Sequence, residues 1–395
     1  MRVVHVITRM IIGGAQENTL LNCLDLRRDF DDQVLLITGP AEGPEGDLLS
    51  RGRAGDLDIK VVDPLRRAID PRRDHAAYRH LLAEIAAFAP DVVHTHSAKG
   101  GMLGRGAAWK LGVRAVVHTV HGAPFYPYQP RPVRWFYRMC ERWAAARCHR
   151  LISVADAMTD LLVEADVAPR EKFTTIYSGM DTGPFLNADV HRSEMRRQLG
   201  FEAHHVVVGK VARLFELKGH EFVIDAAAEA VRRRPELRFL FVGDGILRGA
   251  LQRRIDAAGL RDYFVFAGLV PPEEVPRYIG AMDVLVHASL REGLARALPQ
   301  ALLAGKPAVS YDVDGAREVV LDGVTGLLLP PRSVGPLTEA LIELASYAAL
   351  RGEMGRAGRE LCGQRFDHRV MTRRIRELYQ EILTRTGKAG QGGLR

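Results

Sequence analysis

The strongest constraint on how this chain folds is a rhythm that it runs through twice: short runs rich in Val and Ile, separated by stretches of helical length. Val3–Thr8, Gln33–Thr38, Ile59–Val62, Asp91–His96, Ala115–Val120 and Leu151–Val154 make the first series, with helical patterns such as Asp74–Ala89 and Gly101–Leu111 between them. Val206–Lys210, Arg238–Val242, Tyr263–Ala267, Val284–His287, Ala308–Tyr311 and Gly326–Leu329 make the second. Alternation of this kind implies parallel sheets wrapped by helices. The expected class is therefore α/β, with two doubly wound Rossmann-like domains. Gly179–Pro184 and the polar stretch after it supply the linker, giving domains over residues 1–183 and 184–366. An amphipathic helix in 367–386 is placed back on the first domain, and the Gly-rich 387–395 is expected to be disordered. Doubly wound sheets bind ligands beyond the carboxyl ends of their strands, so the expected site is a cleft between domains.

Composition narrows the classes. At 395 residues the chain is long for one core, and 47% apolar with 26% charged residues is ordinary for a soluble enzyme. No apolar run approaches the roughly 18 residues of a membrane span, and Met1-Arg2 leads directly into a core strand without a signal-peptide layout. Cys23, Cys140, Cys148 and Cys362 show no metal-ligand spacing and read as reduced cytosolic thiols. A net charge of +7 and a pI near 9.3 suggest phosphates, anionic lipid or nucleic acid as partner. No nucleic-acid motif accompanies the charge, so nucleic acid is set aside.

Several motifs fall at predicted strand ends. After Val284–His287 the chain breaks at Ser289 to Gly293 and resumes as an Ala/Leu helix up to Gly305, which puts Glu292-Gly293 in a strand-to-helix turn. A carboxylate beside a helix N-terminus suits a ligand with both hydroxyls and phosphates. Pro299 belongs in the first turn of that helix, which places Gln300 near its start. Arg213 and Lys218 follow a strand and precede the helix from His220; a forked and a point cation together can clamp a diphosphate. Gly13-Gly14 opens a helix after the first strand and fits a phosphate approach or a plain turn. Gly243-Asp244-Gly245 misses the dinucleotide spacing by one residue.

Histidines cluster in the first domain. His121, before Gly122 at a strand end, is the best catalytic candidate, and His118 is placed on the same face of that strand. His94 and His96 share an i, i+2 relation, but no carboxylate or Cys is spaced to complete a metal site. His94, His96 and His118 read as structural imidazoles bonded to loop backbone. Gln16, Lys99 and Gly100 lie at first-domain strand ends.

Taken together, Gly13-Gly14, His94–Gly100, His118–Gly122, Arg213…Lys218-Gly219 and Ser289–Pro307 resemble, in order and spacing, the retaining GT-B glycosyltransferases of family 4, close to the bacterial surface-polysaccharide (CapM-like) branch. The resemblance spans nearly the whole chain. It implies donor diphosphate on Gly14, Arg213 and Lys218, and donor sugar on Glu292 and the Gly293-Leu294 backbone. It implies His121 near the reacting carbon and the acceptor, with no cofactor and no metal, and Gln16, Lys99 and Gly100, at first-domain strand ends, are then assigned to the acceptor. One position departs: the family's second glutamate, which holds the ribose, is here Gln300. Gln accepts through one oxygen only, so weaker or altered ribose contacts are expected.

The implied activity moves a hexose or N-acetylhexosamine from a nucleotide-sugar, UDP being the best guess, to a glycan or lipid-linked acceptor. A sugar-nucleotide 2-epimerase, which would need acid/base carboxylates in the cleft beyond Glu17, and a non-catalytic nucleotide-sugar sensor are the alternatives. Phosphorylases share the architecture but need a cofactor lysine that is not identifiable. Arg131, Arg134, Arg138 and Arg142 form one helical stripe with Trp135, Phe136, Tyr137 and Trp143 interleaved. That stripe fits an anionic membrane surface and a solvated face equally, so the expected location is the cytosol, including the inner face of the membrane.

Overall fold

The computed structural model describes residues 1–42 and 46–392. The chain divides into two compact units: unit 1 is Met1–Met180 with the segment from Asp367 onward, and unit 2 is Asp181–Phe366. In unit 1 the strands are β1 (Arg2–Arg9), β2 (Gln33–Gly39), β3 (Asp58–Val61), β4 (Val92–His96), β5 (Ala115–Val120), β6 (Arg150–Ser153) and β7 (Phe173–Thr175). They pair in the order β3-β2-β1-β4-β5-β6-β7. In unit 2 they are β8 (Val206–Val211), β9 (Leu237–Val242), β10 (Phe264–Gly268), β11 (Val284–His287), β12 (Ala308–Tyr311) and β13 (Gly326–Leu329), ordered β10-β9-β8-β11-β12-β13. Every pairing within both sheets is parallel. Each strand expected from the sequence is present within a residue or so of its expected bounds. β7 was not expected, because three residues carry no period that could distinguish a strand from a loop.

Three local expectations need correction. The helix expected at Asp74–Ala89 begins earlier, at Pro71, because Asp70 caps it: its carboxylate accepts from the N–H groups of Arg72 (3.0 Å) and Arg73 (3.1 Å). The unit boundary falls between Met180 and Asp181, not after Gly183. The segment expected to be disordered from Gly387 continues the C-terminal helix, which spans His368–Gly392; residues 393–395 lie outside the described residues. Helix formation costs little per added residue once a long helix is nucleated, so the weak formers at its end are carried along.

That C-terminal helix completes the core of unit 1. Met371, Ile375, Leu378, Tyr379 and Ile382 pack into one apolar cluster with Val3, Ile7, Leu20 and Leu36. Polar contacts fix its register on the helix Gly14–Phe30 and the residues just after it. His368 Nδ1 meets Asp25 Oδ2 at 2.6 Å, Thr372 donates to Asp25 at 3.0 Å, and Arg376 donates to Asp32 at 2.9 Å. Since Ile375 is fully packed, Ile375→Ala is expected to destabilise unit 1 by about 2–5 kcal/mol, read as an earlier unit 1 transition in denaturant unfolding.

Candidate functional site

In each sheet the strand order reverses once, between β1 and β4 in unit 1 and between β8 and β11 in unit 2. Loops leaving two such neighbours diverge to opposite faces and open a crevice beyond the strand ends. In unit 2 those loops are 212–219 and 288–296, which carry Arg213, Lys218 and Glu292. They are clamped together. Gly219 has φ 68°, and a Cβ on it would lie 1.8 Å from the Ala288 carbonyl oxygen, so only glycine fits by either criterion. Leu290 N–H donates to the Leu217 carbonyl at 2.8 Å, and Leu217 holds the left-handed φ of 64°, a conformation that costs roughly 1–2 kcal/mol. The result is that Lys218 Nζ donates to Glu292 Oε1 at 2.5 Å.

Glu292 is held from three further sides. Its N–H donates to Asp314 Oδ2 at 2.5 Å, and the adjoining Gly293 carbonyl accepts from Gly315 N–H at 3.1 Å. His287 Nε2 stands 3.7 Å from Glu292 Oε1. Burial pushes the Glu292 carboxyl up, but the Lys218 ammonium, His287 and hydrogen bonds from Lys218 and Ser289 outweigh it, leaving its pKa below the ordinary value. Glu292 is thus a fixed carboxylate. Asp314 shifts the other way: burial is the leading cause, and the neighbouring Glu292 charge adds to it. Asp314 was missed in the sequence; the Asp-Gly pair three residues past the end of an apolar strand was the available signal.

One feature of the expected donor loop is corrected. The helix after β11 spans Ala297–Leu303 and does not begin at Gly293, so Gly293 stands in the loop before it and outside the helix terminus. Pro299 is in the first turn, as its missing N–H requires, and Gln300 follows it. Among the described residues, the N–H groups of Gly293 and Leu294 and the Gln300 side-chain amide have no protein hydrogen-bond partner. Arg213 is exposed, with its guanidinium 5.0 Å from the Phe215 ring centroid.

In unit 1 the corresponding loops follow β1 and β4. Gly13 caps the helix Gly14–Phe30, and the Gln16 side chain folds back so that its Oε1 lies 2.7 Å from where a Gly13 Cβ would be. Lys99 Nζ is engaged by the Asp74 carboxylate and the Ala68 carbonyl, and Gly100 N–H by Thr8 Oγ1 at 2.9 Å. Both of these acceptor candidates therefore hold the loop after β4 in place.

The histidines do not bond to loop backbone as expected; they bond to side chains, largely one another. His5 Nδ1 meets His96 Nε2 at 3.0 Å, and His96 Nδ1 meets His121 Nε2 at 3.2 Å. His94 lies between Thr119 Oγ1 (2.7 Å) and the Tyr379 hydroxyl. His118 does not share the face of His121: an odd offset along a strand reverses the face, and His118 pairs with Thr95 Oγ1 at 2.9 Å instead. His5, His94 and His96 offer nitrogens within 4.8 Å of one another, which is metal-ligand spacing. Of those six nitrogens, His5 Nε2 alone has no hydrogen-bond partner among the described residues. His5 was not singled out in the sequence, since one His in an apolar strand gives no period.

The basic stripe lies on the helix Arg131–Ala145. It is not a uniform face: Arg131 and Arg134 are exposed, Arg138 is half-buried, and Arg142 pairs with Asp166. Beside the exposed pair, Trp135 is 62% and Phe136 47% accessible. No described helix is long and apolar enough to cross a membrane.

Comparison with known proteins agrees with these two units. Residues 13–183 match the model described as Glycosyltransferase Family 4, and residues 191–361 the one described as Glycosyl transferases group 1. The 2-deoxystreptamine glucosyltransferase of Streptomyces kanamyceticus is 30% identical over 267 residues, 66% of this chain and 68% of that one. The UDP-Gal:alpha-D-GlcNAc-diphosphoundecaprenol alpha-1,3-galactosyltransferase of Escherichia coli is 29% identical over 264 residues, 66% of this chain and 67% of that one. The crystal structure of Anabaena Alr3699/HepE in complex with UDP superposes with a TM-score of 0.81 at 22% identity, covering 96% of this chain and 100% of that one. The chain belongs to the family 4, group 1 glycosyltransferases, and it has the GT-B architecture of two Rossmann-like α/β units.

Unit 2 also encloses buried polar atoms that leave no signature in the sequence. Lys210 Nζ, both ring nitrogens of His220, His287 Nε2 and the Tyr311 hydroxyl are enclosed without hydrogen-bond partners among the described residues. Burial, reinforced by Lys218, lowers the Lys210 pKa from 10.5 to about 7. Between these two values the unfolded chain binds a proton that the folded chain does not, so stability rises with pH across that window, and below it the full cost of burying the ammonium is present. Lys210→Met is expected to remove that slope. Unfolding midpoints at pH 6 and pH 9 should show the variant gaining most over the parent at pH 6.

Proposed function

We propose that the protein transfers a hexose or N-acetylhexosamine from a UDP-sugar to a glycan or lipid-linked acceptor with retention of anomeric configuration, without a metal or other cofactor. The observation that carries this reading is the Lys218–Glu292 pair, locked by Gly219 at the switch point of unit 2 in a family 4 chain. Lys218 and Arg213 bind the diphosphate; Glu292 takes sugar hydroxyls, and the Gly293 and Leu294 N–H groups complete that contact. The Gln300 amide takes the ribose. In unit 1, Gly14 is a phosphate-approach position, Gln16 and His121 take the acceptor, and Lys99 and Gly100 anchor the start of the helix after β4. Binding a diphosphate draws Lys218 from Glu292, so one event arms both groups.

In the transfer, the bond from the anomeric carbon to the diphosphate oxygen breaks and a bond to the acceptor oxygen forms on the same face. The acceptor proton passes to the leaving diphosphate. Arg213 and Lys218 stabilise the charge that grows on that diphosphate, where removing one such group typically costs about 100- to 1000-fold in rate. The relatives described as acting on UDP-Gal and bound to UDP support the choice of nucleotide.

The test is thermal unfolding with UDP, GDP, ADP and NAD, followed by turnover of UDP-sugars. UDP at about 100 times its Kd should stabilise the parent by roughly 2.7 kcal/mol and leave Arg213→Ala/Lys218→Ala unmoved. Arg213→Ala within threefold of the parent in kcat would overturn its assigned role. We also place the protein in the cytosol and on the inner face of the membrane through the helix Arg131–Ala145. Arg131→Gln/Arg134→Gln should weaken binding to anionic vesicles by roughly 2 kcal/mol in a sedimentation assay, and equal binding would remove the membrane reading.

A further inference from the structure

Lys210, next to last in β8, is fully buried, and its Nζ has no hydrogen-bond partner among the described residues. An enclosed ammonium without a partner is costly, so a lysine held in this way gives up its proton readily. Its partner in register on β9, Phe241, is apolar. Three charges act on it from neighbouring elements. The Lys218 ammonium, from the loop 212–219, opposes a proton on Lys210; Glu292, from the loop 288–296, and Glu221, from the helix His220–Arg233, favour one.

The other titratable groups around it do not change charge near neutrality. His220 and His287, which both feel Lys210, are held by burial to about 2 and about 3. Glu221 also acts on the Tyr311 hydroxyl of β12, which burial pushes up to about 12. Lys210 itself, at about 7 through burial first and Lys218 second, is the group of this set poised to take or lose a proton. Its balance depends on the Lys218–Glu292 contact of 2.5 Å, whose two charges pull on it in opposite directions. A diphosphate bound by Lys218 shifts that balance twice. It compensates the Lys218 charge that opposed a proton, and it leaves the Glu292 carboxylate without its counter-ion. Burial screens these effects from salt.

We propose that Lys210 is the reserve counter-ion of the nucleotide site: a neutral amine while Lys218 pairs with Glu292, and an ammonium, with a proton taken from solvent, once a nucleoside diphosphate has drawn Lys218 away. Nucleotide binding is then coupled to proton uptake, and the Glu292 carboxylate stays compensated while it holds sugar hydroxyls. The inference rests on the reading of Lys218 as the diphosphate ligand.

The test is calorimetric titration of UDP into the full chain at pH 8, in HEPES and in Tris, whose ionisation heats differ. The terminal phosphate of UDP, with a pKa of about 6, is already ionised there and takes no part. The parent should take up a measurable fraction of a proton per UDP bound, and Lys210→Met should take up none. Because binding takes up a proton, the affinity of the parent should fall as the pH rises above 7, by up to about tenfold per pH unit, while that of the variant stays level. Lys210→Gln supplies a second neutral side chain should Lys210→Met not fold. With lysines labelled by 13C, the Lys210 Cε resonance should report an amine in the free chain at pH 8 and an ammonium with UDP bound. No uptake in the parent, equal uptake in the variants, or a Lys210 resonance that bound UDP leaves unmoved would overturn the proposal and leave the role of Lys218 standing. Absence of UDP binding by the folded parent would overturn both.

Discussion

Parallel pairing governs what this chain can do with its loops. A parallel neighbour cannot be reached by a hairpin, so the chain leaves every strand at its carboxyl end and returns through a crossover. All the pairings in both sheets are of this kind, and each sheet reverses its order once. The loops that leave β1 and β4, or β8 and β11, are thus brought together by topology before any side chain contributes. Close backbone contacts do the rest. Gly219 against Ala288 sets Lys218 beside Glu292, and Ser97 against Thr8 fixes the turn beside His96.

The two units solve the problem of buried polar groups differently. Unit 2 keeps charge at its loops: the Lys218 ammonium, 2.5 Å away, helps hold the Glu292 carboxyl below its ordinary pKa in spite of burial, whereas Lys210 and His287 are pushed toward neutrality chiefly by burial. Unit 1 discards charge: His5, His94, His96 and His118 are all driven to the neutral form by burial and satisfy one another or nearby hydroxyls. A charged pair suits a ligand that itself arrives charged. A neutral imidazole can both donate and accept a hydrogen bond, which suits a neutral hydroxyl.

Most of the architecture was legible because strands buried on both faces have to be apolar, and helices between them have to be amphipathic. The position of Arg213, Lys218, Glu292 and Gln300 was legible for a different reason: each lies a short way past a strand end or at the start of the helix that follows. What escaped reading depends on neighbours far apart in sequence. His5 acquires meaning only when β1 pairs with β4, and Asp314 only when the turn after β12 reaches the Glu292 backbone. Lys210, at the end of an apolar strand, looked like an ordinary strand residue until its enclosure was visible. The start of the helix after Glu292 was misplaced because Ala and Leu favour a helix wherever they stand, and only the loop's tertiary contacts hold its first residues out of one.

Unit 2 is one uninterrupted stretch of chain, whereas unit 1 is closed by a helix from the far end of the sequence. During synthesis, then, the strands of unit 1 emerge first but cannot bury one face until all of unit 2 has followed. At ordinary elongation rates that interval is on the order of ten seconds or more. Val3, Ile7, Leu20 and Leu36 stand uncovered by that helix throughout, and so does the imidazole of His94, whose hydroxyl partner is Tyr379. The first half to be made is the last to be finished, and a ribosome that stops short of the final helix releases a chain whose second unit can be whole while its first is not.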